Sequence, residues 1–350
     1  MKRAQRLLLR NHPFLCSVFP REPHPGASAT AAVASRYRGP PCRHLHLLQH
    51  HHVKPAAGTS PPGQPFVRYD DVAALQEEHR ARFLAWKAGR HPGRQQQLEQ
   101  QQEEDSGDVD DATPPRPQLL SFQTQPTYTL GRRQNALTPA QAERLTRPLT
   151  VASSASSSSG AATAAAAAST SYTPQVRKTS RGGLTTYHGP GQLVLWPVLD
   201  MHSPLHARRL GVASYARLLE ATTQALLADL FGVGTYTNPD EPGVWVASAT
   251  ATAAGRGTPP PPERKIAALG VHHRRYVTAL GVALNVHLPV SGEDEAVNPW
   301  ARFVPCGLQG KMVTSVARET GREGQAAEAW DVEALAEEWA RRFEEGLLKG

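Results

Sequence analysis

Residues 181–200 read RGGLTTYHGPGQLVLWPVLD, a glycine-rich approach that runs directly into an apolar stretch. QLVLWPVLD has the continuous apolar character of a buried strand. Ahead of it, Arg181-Gly182-Gly183 and Thr186-Tyr187-His188-Gly189-Pro190-Gly191-Gln192 flank Leu184 and Thr185. Glycines this close together let the backbone approach a ligand and leave N–H groups free for a carbonyl or an oxyanion. His188 stands at the centre of that loop. Two readings fit the stretch by itself: a substrate loop in front of a core strand, or a glycine-rich turn around a structural histidine.

Outward from this stretch the chain alternates between two periodicities. GVWVAS reads as a short strand, and KIAALGVH and YVTALGVALNVHL read as two apolar β-runs separated by the basic turn His273-Arg274-Arg275. Upstream, LLSFQTQPTYTLGRR has the alternation of a strand ending at Gly131. Three- and four-residue steps mark helices instead. Val72, Leu75, His79, Phe83 and Trp86 do so between Tyr69 and Lys87. Tyr215, Leu218, Leu219, Thr222, Leu226 and Leu230 line a second helix that stops before Gly232, and Val332, Leu335, Trp339 and Phe343 a third. Strands and long helices in mixed order predict an α/β (α+β) domain over residues 66–350.

Three tracts interrupt that domain. Residues 91–115 are rich in Gln and acids, 152–170 are almost wholly Ser, Ala, Thr and Gly, and 248–263 are rich in proline. None carries an apolar pattern able to offset its ordering entropy, so each is expected to be a disordered insertion. No apolar run approaches the length that spans a bilayer.

The net charge of +7 is unevenly placed. Residues 1–55 hold nine Lys or Arg against the single acid Glu22, a local +8, which leaves the remainder at −1 (+7 minus +8). A body without basic excess has nothing to grip phosphates, so no nucleic-acid partner is expected. Leu7, Leu8 and Leu9 among Arg3, Arg6 and Arg10 read as an amphipathic mitochondrial transit peptide, with an ordinary tail as the other reading. The segment HLHLLQHHH, His44 to His52, is expected to leave with this leader or just after it.

Cys16, Cys42 and Cys306 are the only cysteines, and two fall in the leader. That excludes an internal disulfide framework and any CxxC metal site. A solitary Cys306 is either a small buried hydrophobe or a nucleophile. It sits in FVPCGL, between a rigid proline and a permissive glycine. Lys265, which opens KIAALG, must lie at a rim or face a polar cavity. An ammonium near the thiol would favour its thiolate.

In this order, RGGLTTYHGPGQLVLWPVLD, GVWV, KIAALGVHHRRYVTALGVALNV and FVPCGLQGKMVTS resemble the lipoyl (octanoyl) transferase family. QPTYTLGRRQ and the helix around Leu75-Gln76 resemble its amino-terminal half. The resemblance implies a biotin/lipoate-ligase-like fold and transfer of octanoyl from acyl carrier protein to a lysine of a lipoyl domain. The implied acceptors are 2-oxoacid dehydrogenases and the glycine cleavage system; the implied setting is the mitochondrial matrix. It also implies a monomer without cofactor, metal or stable membrane insertion. Cys306 matches the acyl-accepting cysteine and Lys265 the lysine that activates it. Arg181 through His188 match the substrate loop, and Ala268-Leu269-Gly270 with Gly281-Val282-Ala283 match two backbone segments lining the acyl site. One position departs: the family usually has a histidine before the glycine of this last segment, and here it is Leu280. Two alternatives accompany this reading, an ATP-dependent lipoate or biotin ligase of the same fold and a non-catalytic lipoyl-domain-binding relative.

Overall fold

Strand β8 (Gln192–Val198) is buried at every position, as its unbroken apolar run requires, and the principal sheet is built around it. The computed structural model describes residues 47–55, 66–89, 113–152, 169–246, 262–304, 310–325 and 330–349. The chain divides into two units, Met1–Pro41 and Cys42–Gly350, and every described residue lies in the second. The leader before residue 47, most of the three tracts and all three cysteines lie outside the described residues.

The remaining elements are, in chain order, β1 (Gln49–His52), helix α1 (Tyr69–Gly89), β2 (Gln118–Phe122), β3 (Thr127–Leu130), α2 (Pro139–Thr146), β4 (Leu149–Ala152), β5 (Ser169–Tyr172), β6 (Gln175–Lys178) and β7 (Thr186–His188) ahead of β8. After it come α3 (Val212–Phe231), β9 (Thr235–Thr237), β10 (Gly243–Val246), β11 (Arg264–Arg274), β12 (Val277–Asn285), β13 (Met312–Val313), α4 (Val316–Glu319) and α5 (Val332–Lys349). The principal sheet runs β1-β2-β8-β12-β11-β10-β9, with β13 added beside β11. Its central pairs are antiparallel; β1 joins β2, and β13 joins β11, in parallel. Strands β6, β3 and β7 form a second, three-stranded sheet, and β4 pairs with β5.

Helix α1 packs across β12, β8 and β2, and α5 packs on α3 and on β1, β2 and β8. Tyr69 and Val72 of α1 meet Leu120, Phe122, Val194 and Trp196 from the sheet. Val72, His79, Phe83 and Trp86 are buried as the helical spacing predicts, whereas Leu75 is half-buried. The second helix buries Tyr215, Leu219, Thr222 and Leu226 and ends where Gly232 turns left-handed at φ 67°, its N–H donating to the Ala228 carbonyl. All four residues expected on the last helix face are buried.

Three expectations change. LLSFQTQPTYTLGRR makes two strands, β2 and β3, in different sheets. Pro126, which cannot donate to a ladder, falls between them. Gln49–His52 of HLHLLQHHH pair residue for residue with Gln118–Ser121, so the folded domain reaches back past residue 66 to Leu47. Ala152, Ser169 and Thr170, assigned to an insertion, are ladder residues of the β4–β5 hairpin.

Candidate active site

Strands β11 and β12 form a long hairpin, and their register brings the two expected acyl-site segments face to face. Ala268 pairs with Ala283, Leu269 with Val282 and Gly270 with Gly281. These six residues form one wall of a shallow cleft whose space, open solvent included, is about 420 Å³. Arg181, Thr186 and His188 from the glycine-rich stretch, together with Tyr69, Trp196 and Leu280, complete it. Tyr69 and Trp196 meet edge to face at 5.3 Å.

The two glycines of the wall are there for close approach. A Cβ on Gly270 would stand 2.9 Å from Arg181 Cδ, and one on Gly281 2.2 Å from the Leu195 carbonyl oxygen. Gly270 therefore lets the Arg181 side chain lie across the strand, and Gly281 lets β12 pass β8. Beside it, Leu280 has φ 61°, a left-handed conformation that costs a branched residue about 1–2 kcal/mol. The position where the family resemblance expects a histidine is thus a strained apolar residue in the cleft wall.

Arg181 is buried, with Nη2 donating to the Thr129 carbonyl at 2.6 Å and Nη1 to the Gly182 carbonyl at 2.9 Å. These bonds, with a third from Nη2 to the Thr129 hydroxyl at 3.0 Å, hold the guanidinium against the strand that follows Pro126. His188 is fixed by a chain of amides. Gln192 Nε2 donates to Tyr187 O and Asn285 Oδ1, which leaves Gln192 Oε1 to accept from His188 Nδ1 at 2.8 Å. The imidazole therefore carries its proton on Nδ1 and presents Nε2 as an acceptor. Burial, slightly offset by the Gln192 bond, pushes it down to about 4, so it is neutral at physiological pH.

The rest of the glycine-rich stretch shapes the loop from behind. Gly183 turns at φ 84°, Leu184 O accepts from Gly131 N–H, and Thr185 Oγ1 donates to Gln134 Oε1 at 2.9 Å. Gly182 has open space where a Cβ would sit. Tyr187 packs against Tyr128 and Trp300 in a separate core.

Lys265, on β11 ahead of the cleft segment, is 7% exposed. Its Nζ donates to the Pro242 carbonyl at 3.2 Å and lies 4.5 Å from the centre of the Trp245 ring. Cys306 lies outside the described residues, which stop at Val304 and resume at Gly310. Phe303 packs edge to face on Tyr128, and β13 pairs with β11 so that Val313 stands opposite Lys265. Tyr69 and Trp196 went unnoticed as cleft residues, since an aromatic at a helix start or in an apolar strand has no local signature of a ligand.

Residues 96–344 match the family described as the lipoyl protein ligase A/B catalytic domain. A mitochondrial octanoyl-acyl-carrier-protein:protein N-octanoyltransferase of Danio rerio is 32% identical over 225 residues, 64% of this chain and 76% of its own length. A probable octanoyltransferase of Schizosaccharomyces pombe is 30% identical over 251 residues, 72% of this chain and 81% of its own. Among solved structures, an archaeal bipartite lipoate protein ligase with its E2 lipoyl domain from Thermoplasma acidophilum gives a TM-score of 0.40 at 13% identity, covering 67% of this chain and 72% of that one. With its cleft formed by paired glycine-containing strands, the chain belongs to the lipoyl protein ligase A/B catalytic-domain family, among its octanoyltransferases.

Proposed function

We propose that this protein transfers an octanoyl group from acyl carrier protein to a lysine of a lipoyl domain, through a thioester on Cys306. The observation that carries this reading is the placement of Lys265 on the strand that also forms the cleft wall. The segment following Cys306 in sequence returns to pair with that same strand beside Lys265. A lysine beside an apolar cleft suits acyl transfer.

The reaction balances with these groups alone. The Lys265 ammonium favours the Cys306 thiolate, which attacks the carbonyl carbon of the donor thioester. The bond to the carrier sulfur breaks, and the departing thiolate takes the Lys265 proton. The neutral amine of Lys265 then accepts a proton from the acceptor lysine as that nitrogen attacks the Cys306 thioester. An amide forms, the thiolate leaves, and Lys265 is again an ammonium. Exchange of one thioester for another is nearly isoenergetic, so loading requires no ATP. This separates the reading from the ligase alternative, in which a free acid is activated as its adenylate.

Ala268, Leu269, Val282, Ala283, Trp196 and Tyr69 would enclose the acyl tail. Each buried methylene contributes about 0.8 kcal/mol, so the cleft can favour eight carbons over six by about tenfold. The name of the Danio relative carries the mitochondrial setting, and the basic leader fits import to the matrix. The protein is incubated with octanoyl-acyl carrier protein and its peptides are weighed. An octanoyl mass on the Cys306 peptide, absent from Cys306→Ala, is expected; normal transfer by that folded variant would sink the mechanism.

A further inference from the structure

Glu220 projects from the middle of α3 and is 9% exposed, a costly place for a carboxylate without a specific role. Its Oε1 accepts a hydrogen bond from the Gly243 N–H at 2.9 Å. Gly243 follows Pro242, whose carbonyl receives the Lys265 ammonium. The turn between them has room for no other residue: Gly243 has φ 135°, and a Cβ there would stand 2.6 Å from the Ala267 carbonyl oxygen and 3.4 Å from Lys265 Cε. One side of the turn is therefore pinned by a helix carboxylate and the other holds the lysine.

Trp245, fully buried on β10, offers its ring to two ammonium groups, Lys265 at 4.5 Å and Lys311 at 4.9 Å. Its indole N–H donates to the Glu241 carbonyl at 3.1 Å, which locks the ring against the same turn. Lys311 has two carboxylates of its own, Glu241 and Glu263. Glu220 supplies negative charge on the Lys265 side. Burial raises its carboxyl, while the Gly243 N–H, Lys265 and Arg217 of its own helix oppose that rise.

We propose that Glu220 is a positioning residue for Lys265, fixing the Pro242–Gly243 turn that orients the ammonium and setting, by its charge, how readily Lys265 takes and gives a proton. The proposal rests on the role given to Lys265 above. Glu220 itself touches no reacting atom. The two parts of its action can be separated chemically, because Gln keeps an oxygen for the Gly243 N–H but removes the charge, whereas Asp keeps the charge on a shorter stem.

The test measures discharge of preformed octanoyl-Cys306 to a lipoyl domain against pH, with acceptor concentration varied to split kcat from KM. Lys265→Met is assayed first: undiminished discharge there defeats the role of Lys265, and with it this proposal. Where Lys265→Met is inactive, the expected result for Glu220→Gln is an unchanged KM and a rate limb displaced to lower pH. The sign follows from charge, since removing a nearby anion favours neutral Lys265. Glu220→Asp should return the limb to its wild-type position while lowering kcat about tenfold, through looser positioning of the ammonium. A Glu220→Gln profile superimposable on wild type overturns the proposal with the role of Lys265 intact. If Glu220→Gln does not fold, Glu220→Asp decides: a displaced limb in a variant that keeps the charge overturns the proposal.

Discussion

His188 in the cleft wall and His50 on the edge strand are both pushed down to about 4, chiefly by burial. Their partners are of different kinds. His188 bonds a glutamine whose NH₂ is already committed to two acceptors, so the amide can only accept and the imidazole has one tautomer. His50 Nε2 and His52 Nδ1 instead meet at a single hydroxyl, Ser121 Oγ, at 2.7 and 2.8 Å. A hydroxyl can donate to either ring and accept from the other, so the edge is satisfied in two proton arrangements. The cleft has a directional polar network and the edge an exchangeable one. Directionality is what a site needs if one ring nitrogen is to face a substrate as an acceptor.

The largest effect is expected from breaking the directional network. Gln192→Leu would remove the partner of His188 Nδ1–H and the donor to Asn285 Oδ1 and to the Tyr187 carbonyl in the interior, while Asn285 Nδ2 keeps the Thr314 carbonyl. At about 1–3 kcal/mol for each buried group left unsatisfied, a loss of roughly 3 kcal/mol or more is expected in denaturant melts, with acyl transfer reduced alongside. A variant as stable as the parent would show that the chain of amides is not a unit.

Acid should act on all the histidines that burial holds neutral. For His188 the folded value of about 4 lies below the ordinary 6.5, so the unfolded chain binds the proton first. Stability from this group is full above the unfolded value and declines as pH falls towards about 4, by on the order of 3 kcal/mol in all. His206 is held to about 4 by burial as well, and neither of its ring nitrogens has a hydrogen-bond partner among the described residues. Equilibrium melts between pH 7 and 4 should therefore slope downward, and His206→Phe should flatten the slope. A slope unaltered in that variant would mean His206 is protonated alike in both states.

The smallest effect belongs to the edge. Ser121→Ala removes the shared hydroxyl, but His50 and His52 are only partly buried and can turn to water. About 1 kcal/mol is expected, with transfer activity unchanged. A loss as large as that of Gln192→Leu would erase the distinction between the two networks.

The central strands were legible because burial on both faces leaves an unbroken apolar run, as in QLVLWPVLD and YVTALGVALNV. Lys265 was singled out for the opposite reason, as a charge at the start of such a run. Strand β1 was not legible: its side chains reach Ser121, Gln118 and His79, so its sequence is polar where a strand is expected to alternate. Nor could Glu220 be seen. Its partner Gly243 is a backbone N–H, and nothing in either residue type announces the other.

Beyond β1 the chain closes on itself. The Leu47 and Leu48 N–H groups both donate to Glu344 Oε1, at 2.6 and 2.8 Å, across 297 and 296 positions of sequence. The strand nearest the amino terminus among the described residues is therefore completed only by partners far along the chain. Strand β2 supplies its ladder and α5 the carboxylate. Without the Glu344 carboxylate two N–H groups flanked by leucine side chains would lose this acceptor, so a lesion in α5 would be felt at β1.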